Sequence, residues 1–218
     1  MKDKFWTYFD TEAAPRLGKR EETFRKIFEH LDGIIGTIRI VETGCARVKD
    51  NWAGDGQSTV LFDKYISNRD NTSICLTVDI SENSVRECSL MVSQRVKIYQ
   101  QDSVSFLATL SKQLESTKDT IDFLYLDSFD LDMKYWQPSA IHHLKELTAA
   151  SRVLRSDTLV VVDDCPSNAD FIYQNNSTIG FVTPPTVGGK GRLVSEYADS
   201  VGATCIFAKY QAGWTNMA

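Results

Sequence analysis

The chain has 218 residues, of which 42% are hydrophobic and 24% are charged, and this size and composition suit one globular domain with a sizeable core. Its 24 Lys and Arg against 29 Asp and Glu give a formal charge of -5, which argues against a general nucleic-acid-binding surface. The sequence has no run of about 18 apolar residues and no signal-peptide core, so we expect a cytoplasmic protein without membrane association.

The hydrophobic pattern at the start of the chain predicts a helix before the first strand. Residues 1–18 mix aromatic and charged side chains, and we expect them to be either a cap over a site or a frayed arm. A helix is predicted over residues 21–31, and a short run rich in β-branched residues predicts a strand from residue 38. We expect a single domain over residues 1–218, with an N-terminal helical cap or arm over 1–33 and a core over 38–209.

Strands and helices alternate along the rest of the chain. Strands are predicted over residues 74–78, 96–99, 121–126, 158–162 and 203–208. Helices are predicted from residue 58 and over residues 82–92, 104–110, 135–153 and 193–201. This alternation predicts a Rossmann-like, doubly wound and mostly parallel sheet with helices on both faces, and the last strand is expected at its edge. Residues 168–185 show no clear pattern.

Nearly every predicted strand is followed by an acidic side chain. These acids are Glu42, Asp79, Asp102, Asp127, Asp163 and Asp164. The carboxyl ends of parallel strands meet at one edge of a sheet, and that edge is where such sheets bind ligands. Clustered carboxylates repel one another unless cations or hydrogen-bond donors lie between them, so the pattern indicates a functional site.

Two common nucleotide-binding motifs are absent from the glycine-containing loop that follows the first strand. A nicotinamide site needs G-x-G-x-x-G at this place, whereas nine residues separate Gly44 from Gly54. No G-x-x-x-x-G-K-[ST] motif follows a strand either. The long loop over residues 45–55 is therefore either a lid over a ligand or a surface insertion.

A different family fits the order of the motifs VETG (41–44), GDGQST (54–59), TVDIS (77–81), QDS (101–103) and DFLYLDS (122–128). This order resembles the class I S-adenosylmethionine-dependent methyltransferases, over roughly residues 38–208. The resemblance implies an enzyme that binds S-adenosylmethionine. Its cationic sulfonium suits an acidic rim, and one carboxylate can accept both ribose hydroxyl protons.

The same resemblance assigns roles within the cofactor site. It implies that Glu42 and Gly44 lie beside the methionine part and that Asp79 holds the ribose hydroxyls. Asp102 and Ser103 would face the adenine, although an acid before a helix is also an ordinary N-cap. The remaining cofactor-binding candidates in these motifs are Thr43, Gly56 and Ser58.

Asp127, Asp163 and Asp164 look like the acids of metal-dependent O-methyltransferases that act on catechols or on sugar hydroxyls of natural products. That resemblance implies a Mg²⁺ ion, for which hard oxygen ligands are suited. Such an ion would lower the pKa of an acceptor hydroxyl. Catechol-type enzymes place a lysine base where this chain has Asp130. The candidate catalytic residues are therefore Asp127, Asp130 and His142, with Lys134 as a further candidate base.

The expected function is transfer of a methyl group from S-adenosylmethionine to a hydroxyl of a small molecule, assisted by Mg²⁺. One alternative is a metal-independent O- or N-methyltransferase in which Asp127 is a base or positions an amine. Another is a non-catalytic S-adenosylmethionine-binding module that works through a partner. A homo-oligomer is compatible with the sequence. The stretch GGKGR, residues 188–192, predicts either a plain turn into a helix or a site where Lys190 and Arg192 bind an anionic group.

Overall fold

The N-terminal segment is helical and packs against the core. A computed structural model describes the backbone of residues 2–166, 170–173, 179–182 and 187–218, so much of the patternless 168–185 segment lies outside it. Helix α1 (Lys2–Tyr8), a π-helical turn (Phe9–Ala13), α2 (Ala14–Leu17), a 3-10 turn (Gly18–Arg20) and α3 (Glu21–Gly33) follow one another. Phe5 and Phe9 are 1% and 0% exposed, so this segment is a packed helical layer and the frayed-arm alternative is wrong.

Seven strands form one sheet in the order β3-β2-β1-β4-β5-β9-β8. They are β1 (Arg39–Thr43), β2 (Ile74–Asp79), β3 (Val96–Gln100), β4 (Phe123–Leu126), β5 (Leu159–Val162), β8 (Thr204–Ala208) and β9 (Ala212–Thr215). Strands β1 to β5 are parallel, and β9 lies antiparallel between β5 and β8. The predicted strand over 203–208 is at the edge, whereas β9 was not predicted. A separate hairpin consists of β6 (Asp170–Tyr173) and β7 (Ile179–Val182).

Helices cover both faces of the sheet, as predicted. The remaining helices are α4 (Trp52–Asp55), α5 (Ser58–Arg69), α6 (Glu82–Met91), α7 (Ser103–Thr117), α8 (Gln137–Ala150) and α9 (Arg192–Val201). On one face α7, α8 and α9 bury their apolar sides, and on the other α1, α3 and α5 do so. Neighbouring residues Ile40 and Val41 of β1 belong to opposite cores, because side chains alternate along a strand. Such continuous apolar strands are typical of a parallel sheet buried on both sides.

The winding of the sheet reverses between β1 and β4, where the carboxyl ends of the strands form a crevice. Backbone hydrogen bonds continue just past the strand ends: Gly44 N donates to Val78 O (2.8 Å), Asp127 N to Thr43 O (2.9 Å) and Asp163 N to Leu126 O (3.1 Å). The residues that follow β1, β4 and β5 are thereby held at the same rim. Within the described ranges, no helix combines the length and the apolar character that a membrane span needs.

Candidate functional site

Two adjacent cavities lie at this rim. The narrower one, which we call the Gly44 cavity, has a volume of about 30 Å³ and is lined by Gly44, Cys45, Arg47, Asp55, Ser58, Asp79, Asp127 and Ser128. The wider one, which we call the Asp102 cavity, has a volume of about 360 Å³ and is lined by Val78, Asp79, Ile80, Asp102, Ser103, Ser128, Phe129 and His142. Asp79 and Ser128 line both cavities, so the two form neighbouring parts of one site.

Gly44 is required by its position between β1 and the chain that follows β4. Its φ is +79°, a region that other residues rarely adopt. A Cβ atom there would lie 2.5 Å from Asp127 O, a contact too short for any side chain. The glycine therefore lets two strand ends approach closely beside the cavity.

Glu42 connects the end of β1 to the start of α5 next to the site. It is fully buried, and its carboxylate accepts hydrogen bonds from Ser58 Oγ (2.6 Å) and Thr59 Oγ1 (2.7 Å) at the start of α5. Burial raises the pKa of Glu42 to about 7, although these hydroxyl bonds oppose the rise. Two further predicted cofactor residues, Thr43 and Gly56, are not among the residues that line the two cavities. Thr43 is buried and donates to Glu146, and Gly56, at φ +69°, lies against the Arg20 side chain.

Asp79 and Asp102 are both at the cavities. Asp79 Oδ1 accepts a hydrogen bond from Ser81 N (2.8 Å), while its Oδ2 lies 3.8 Å from Cys45 Sγ. Asp102 caps α7 by accepting from Ser105 N (2.8 Å), and this backbone hydrogen bond lowers the pKa of Asp102. Asp102 is therefore the N-cap of α7 and at the same time lines the Asp102 cavity.

A buried hydrogen-bond network lies under the Asp102 cavity. His142 Nε2 is 2.9 Å from Ser103 Oγ and 3.3 Å from Glu146 Oε1, and the bond to Glu146 raises the pKa of His142. Glu146 is buried and accepts from Ser128 Oγ (2.6 Å). Burial would raise the pKa of Glu146, but hydrogen bonds and its two histidine neighbours outweigh it and lower the pKa. Glu146 was not among the residues predicted from the sequence, although it lies at i,i+4 spacing from His142.

The three predicted catalytic residues are not brought together. Asp127 lines the Gly44 cavity, whereas His142 lines the Asp102 cavity. Asp130 has a side chain that is 73% exposed, and Arg47 holds it at 3.1 Å. Asp130 thus lies in a surface ion pair and is not among the residues that line the two cavities.

The predicted magnesium ligands are bound by the protein's own cations. Arg20 Nε lies 2.8 and 3.0 Å from the two oxygens of Asp163, and Arg20 Nη2 lies 3.1 Å from Asp164. Lys190 Nζ lies 2.5 Å from Asp127 Oδ1 and 3.0 Å from Asp164 Oδ2. Two cations thus occupy the donor set, which does not fit Mg²⁺. In the part of the chain that the structure describes, no group of three or more His, Cys, Asp or Glu could hold a metal ion.

Two tyrosines add donors to this acid cluster, which we define as Asp127, Asp163 and Asp164. Tyr125 OH donates to Asp163 (2.8 Å) and Tyr210 OH to Asp164 (2.6 Å). Three carboxylates against two cations leave one excess negative charge. Burial and the other two carboxylates raise the pKa of Asp127, although Lys190 opposes the rise.

The long loop after β1 contributes to the site. Its short helix α4 is capped by Asn51, which accepts a hydrogen bond from Gly54 N (3.3 Å). Arg47 and Asp55 lie 3.4 Å apart and both line the Gly44 cavity. Asp55 Oδ2 is buried there without a hydrogen-bond partner. The loop therefore forms part of the cavity wall.

No protein-family model and no curated protein sequence matches the chain. Among solved structures, the N-methyltransferase NodS from Bradyrhizobium japonicum WM9 aligns with a TM-score of 0.50 at 11% identity, over 90% of this chain and 95% of NodS. The fold is a Rossmann-like methyltransferase fold. At this identity the likeness extends to the fold alone.

Two further solved structures are similar at lower TM-scores. The DhpI-SAH complex aligns with a TM-score of 0.47 at 12% identity, over 97% of this chain and 93% of the other. The plantazolicin methyltransferase BpumL, in complex with a triazolic desmethylPZN analog and SAH, aligns with a TM-score of 0.40 at 16% identity, over 75% and 53%.

Several residues of the site in this methyltransferase fold were not predicted from the sequence. Arg20 and Arg47 lie in segments without a recognisable motif, and Asp55 lies within GDGQST (54–59) but was given no role there, so only the structure shows that the three reach the rim. For Lys190 there was a signal, the GGKGR turn, but the expected anionic partner is the protein's own acid cluster.

Proposed function

We propose that the protein is an S-adenosylmethionine-dependent methyltransferase that acts on a hydroxyl of a small molecule. The observation that carries this proposal is the pair of adjacent cavities at the winding reversal, joined by Asp79 and Ser128. In open parallel sheets this is the place where nucleotide cofactors bind. The NodS likeness supports the proposal only through the shared fold.

The cavity residues fit the parts of this cofactor. Asp79 lines both cavities, and its Oδ2, which is 3.8 Å from the weak donor Cys45 Sγ, can accept hydrogen bonds from ribose hydroxyls. The Asp102 cavity is lined by the apolar side chains of Ile80 and Phe129 together with polar groups, which suits a purine ring. Ser103 and His142 can supply hydrogen bonds to its edge.

The Gly44 cavity fits the amino-acid end of the cofactor. The unpartnered Asp55 Oδ2 is a buried acceptor that an ammonium group would satisfy. Arg47, which lines the same cavity, is suited to a carboxylate. Because the long loop over residues 45–55 carries both residues, we propose that this loop binds the amino-acid end of the cofactor.

When bound, S-adenosylmethionine supplies an electrophilic methyl group on a cationic sulfonium. The chain's own contribution is its excess of negative charge at the Gly44 cavity, where Asp55, Asp79 and Asp127 face Arg47. Asp127 can orient the acceptor group or take its proton. No divalent ion enters this account, since Arg20 and Lys190 bind the acid cluster.

An amine is the second candidate acceptor, because Asp127 lines the Gly44 cavity and its carboxyl group could accept a hydrogen bond from an amine. A cofactor-binding module without catalysis is separated from both candidates by turnover. A panel of small hydroxylated and amine acceptors, assayed for S-adenosylhomocysteine production with and without chelator, distinguishes the three.

Cofactor binding is tested first by thermal unfolding with S-adenosylhomocysteine. A ligand at 100 times its Kd adds about 2.7 kcal/mol to the free energy of unfolding. For a chain of this size, that corresponds to a Tm rise of about 5–10 °C. An unchanged Tm at millimolar S-adenosylhomocysteine would contradict the proposal, and adenosine diphosphate ribose serves as the nucleotide control.

A further inference from the structure

Lys190 is the most deeply buried cation at the rim. Its side chain is 1% exposed, and its Nζ bonds to Asp127 on one side and Asp164 on the other. Asp127 also lines the Gly44 cavity, so this ammonium group lies directly behind the cavity wall. A buried lysine costs several kcal/mol unless carboxylates surround it, and here two of them do.

The conformation of the backbone around Lys190 places its side chain between Asp127 and Asp164. Gly189 has φ +53°, and a Cβ atom on it would lie 2.3 Å from Asp164 O. At Gly191 a Cβ atom would lie 2.4 Å from Cys165 Sγ. Lys190 N itself donates to Asp164 O (3.2 Å). Glycines on both sides therefore let the turn press against the chain that follows β5 and direct the lysine into the acid cluster.

We propose that Lys190 is a positioning residue, a built-in cation that occupies the place of a divalent ion and holds the Asp127 carboxylate at the edge of the Gly44 cavity. A magnesium ion needs ligand oxygens at about 2.0–2.1 Å in octahedral geometry and retains several waters. The ammonium group takes one oxygen of Asp127 and one of Asp164 and fills the space between them. Its charge also repels a second cation.

The proposal predicts that the cluster is a latent metal site. Removing the lysine side chain frees Asp127 Oδ1 and Asp164 Oδ2 and leaves a polar space between them, while Asp164 Oδ1 keeps its hydrogen bonds from Arg20 and Tyr210. Arg20 continues to bind Asp163, so the remaining ligands of such a site are Asp127, Asp164 and water. The further consequence, that methyl transfer proceeds without a divalent ion, rests on the proposed function.

Mn²⁺ binding followed by electron paramagnetic resonance tests the proposal in the full chain. Wild type is expected to bind no Mn²⁺ at the cluster, and Lys190→Ala is expected to bind it at least tenfold more tightly. Adding Asp164→Asn to Lys190→Ala should abolish the gain, and the conservative Lys190→Arg should not show it. Lys209→Ala is the matched control, since Lys209 is an exposed lysine paired with Glu22.

Two results would overturn the proposal. The first is Mn²⁺ binding by wild type that disappears in Asp127→Asn, a measurement that does not depend on the folding of any lysine variant. The second is a folded Lys190→Ala with no gain in Mn²⁺ affinity. Failure of the proposed function is separate, because it would appear as absent S-adenosylhomocysteine binding whatever the Mn²⁺ result.

Discussion

Arg20 Nε lies 2.8 Å from Asp163 Oδ2, although 143 residues separate the two in the chain. Arg20 comes just before α3, and Asp163 follows strand β5. Both residues are buried, at 5% and 0% exposure. The pair therefore fastens the N-terminal helices to the rim on which the acid cluster lies.

Replacing Arg20 should be among the most destabilising changes at the rim. Arg20→Met leaves Asp163 buried without its cation, which typically costs about 3–5 kcal/mol of unfolding free energy. Urea unfolding measures the loss, and adding Asp163→Asn should restore part of it. Lys26→Met removes an exposed pair with Glu22 on α3 and should change stability by less than about 1 kcal/mol. Equal losses in the two single variants would refute the assigned role of Arg20.

Asp79 is expected to carry much of the cofactor affinity. Asp79→Asn keeps an oxygen to accept from Ser81 N but removes the charge that would bind hydroxyls. A hydrogen bond to a charged group contributes about 1.5–3 kcal/mol, so affinity for S-adenosylhomocysteine should fall roughly tenfold or more. Isothermal titration calorimetry gives the Kd, with the exposed Asp199→Asn as the control. An unchanged Kd in Asp79→Asn would remove Asp79 from the cofactor site.

Gly44→Ala tests the close approach between the ends of β1 and β4. The new Cβ would lie 2.5 Å from Asp127 O, and the φ of +79° is itself unfavourable for alanine. We expect a loss of about 1–3 kcal/mol from the backbone strain, with more if β4 must shift. In Gly33→Ala, the new Cβ meets nothing within 4 Å, and helix propensity favours alanine there. If chemical denaturation gave Gly33→Ala a lower free energy of unfolding than Gly44→Ala, the close approach of the β1 and β4 ends would be contradicted.

Glu42 should make the protein less stable as the pH rises. Burial raises its pKa from 4.5 to about 7, so its protonated form is favoured in the folded state. That contribution is fully present below about pH 4.5 and is lost as the pH rises through about 7. Relative to Glu42→Gln, wild type should therefore lose on the order of 3 kcal/mol across this window. Urea unfolding at pH 5 and pH 8 measures this loss. If the free energies of unfolding of wild type and Glu42→Gln changed equally between the two pH values, Glu42 would not titrate in this range.

Local sequence patterns were sufficient for the parallel part of the sheet and for the acidic rim. Runs such as LVVV at β5 are apolar on both faces, which indicates a parallel sheet, and the carboxyl ends of parallel strands necessarily share an edge. The positions of Asp79, Asp102 and Asp127 followed from that rule alone. Gly44 followed from the motif order.

The pairing of charges could not be predicted in the same way. Lys190 meets Asp127 across 63 residues and Arg20 meets Asp163 across 143, distances over which no local periodicity carries information. The magnesium prediction was therefore unsupported, because it counted the carboxylates without their cations. Strand β9 was missed since AGWT is short and contains Gly213, whose backbone packs on the Phe207 ring.

The insertion of β9 between β5 and β8 constrains the order of assembly during biosynthesis. Strand β8 leaves the ribosome first, yet its neighbour in the described sheet is β9, so it must wait for the later strand before docking. Tyr210 and Gln211, just ahead of β9, hydrogen-bond to Asp164 and Tyr125, each at 2.6 Å. In a nascent chain that stops short of these residues, the acid cluster would lack its Tyr210 donor, and Tyr125, which donates to Asp163, would lack its Gln211 partner.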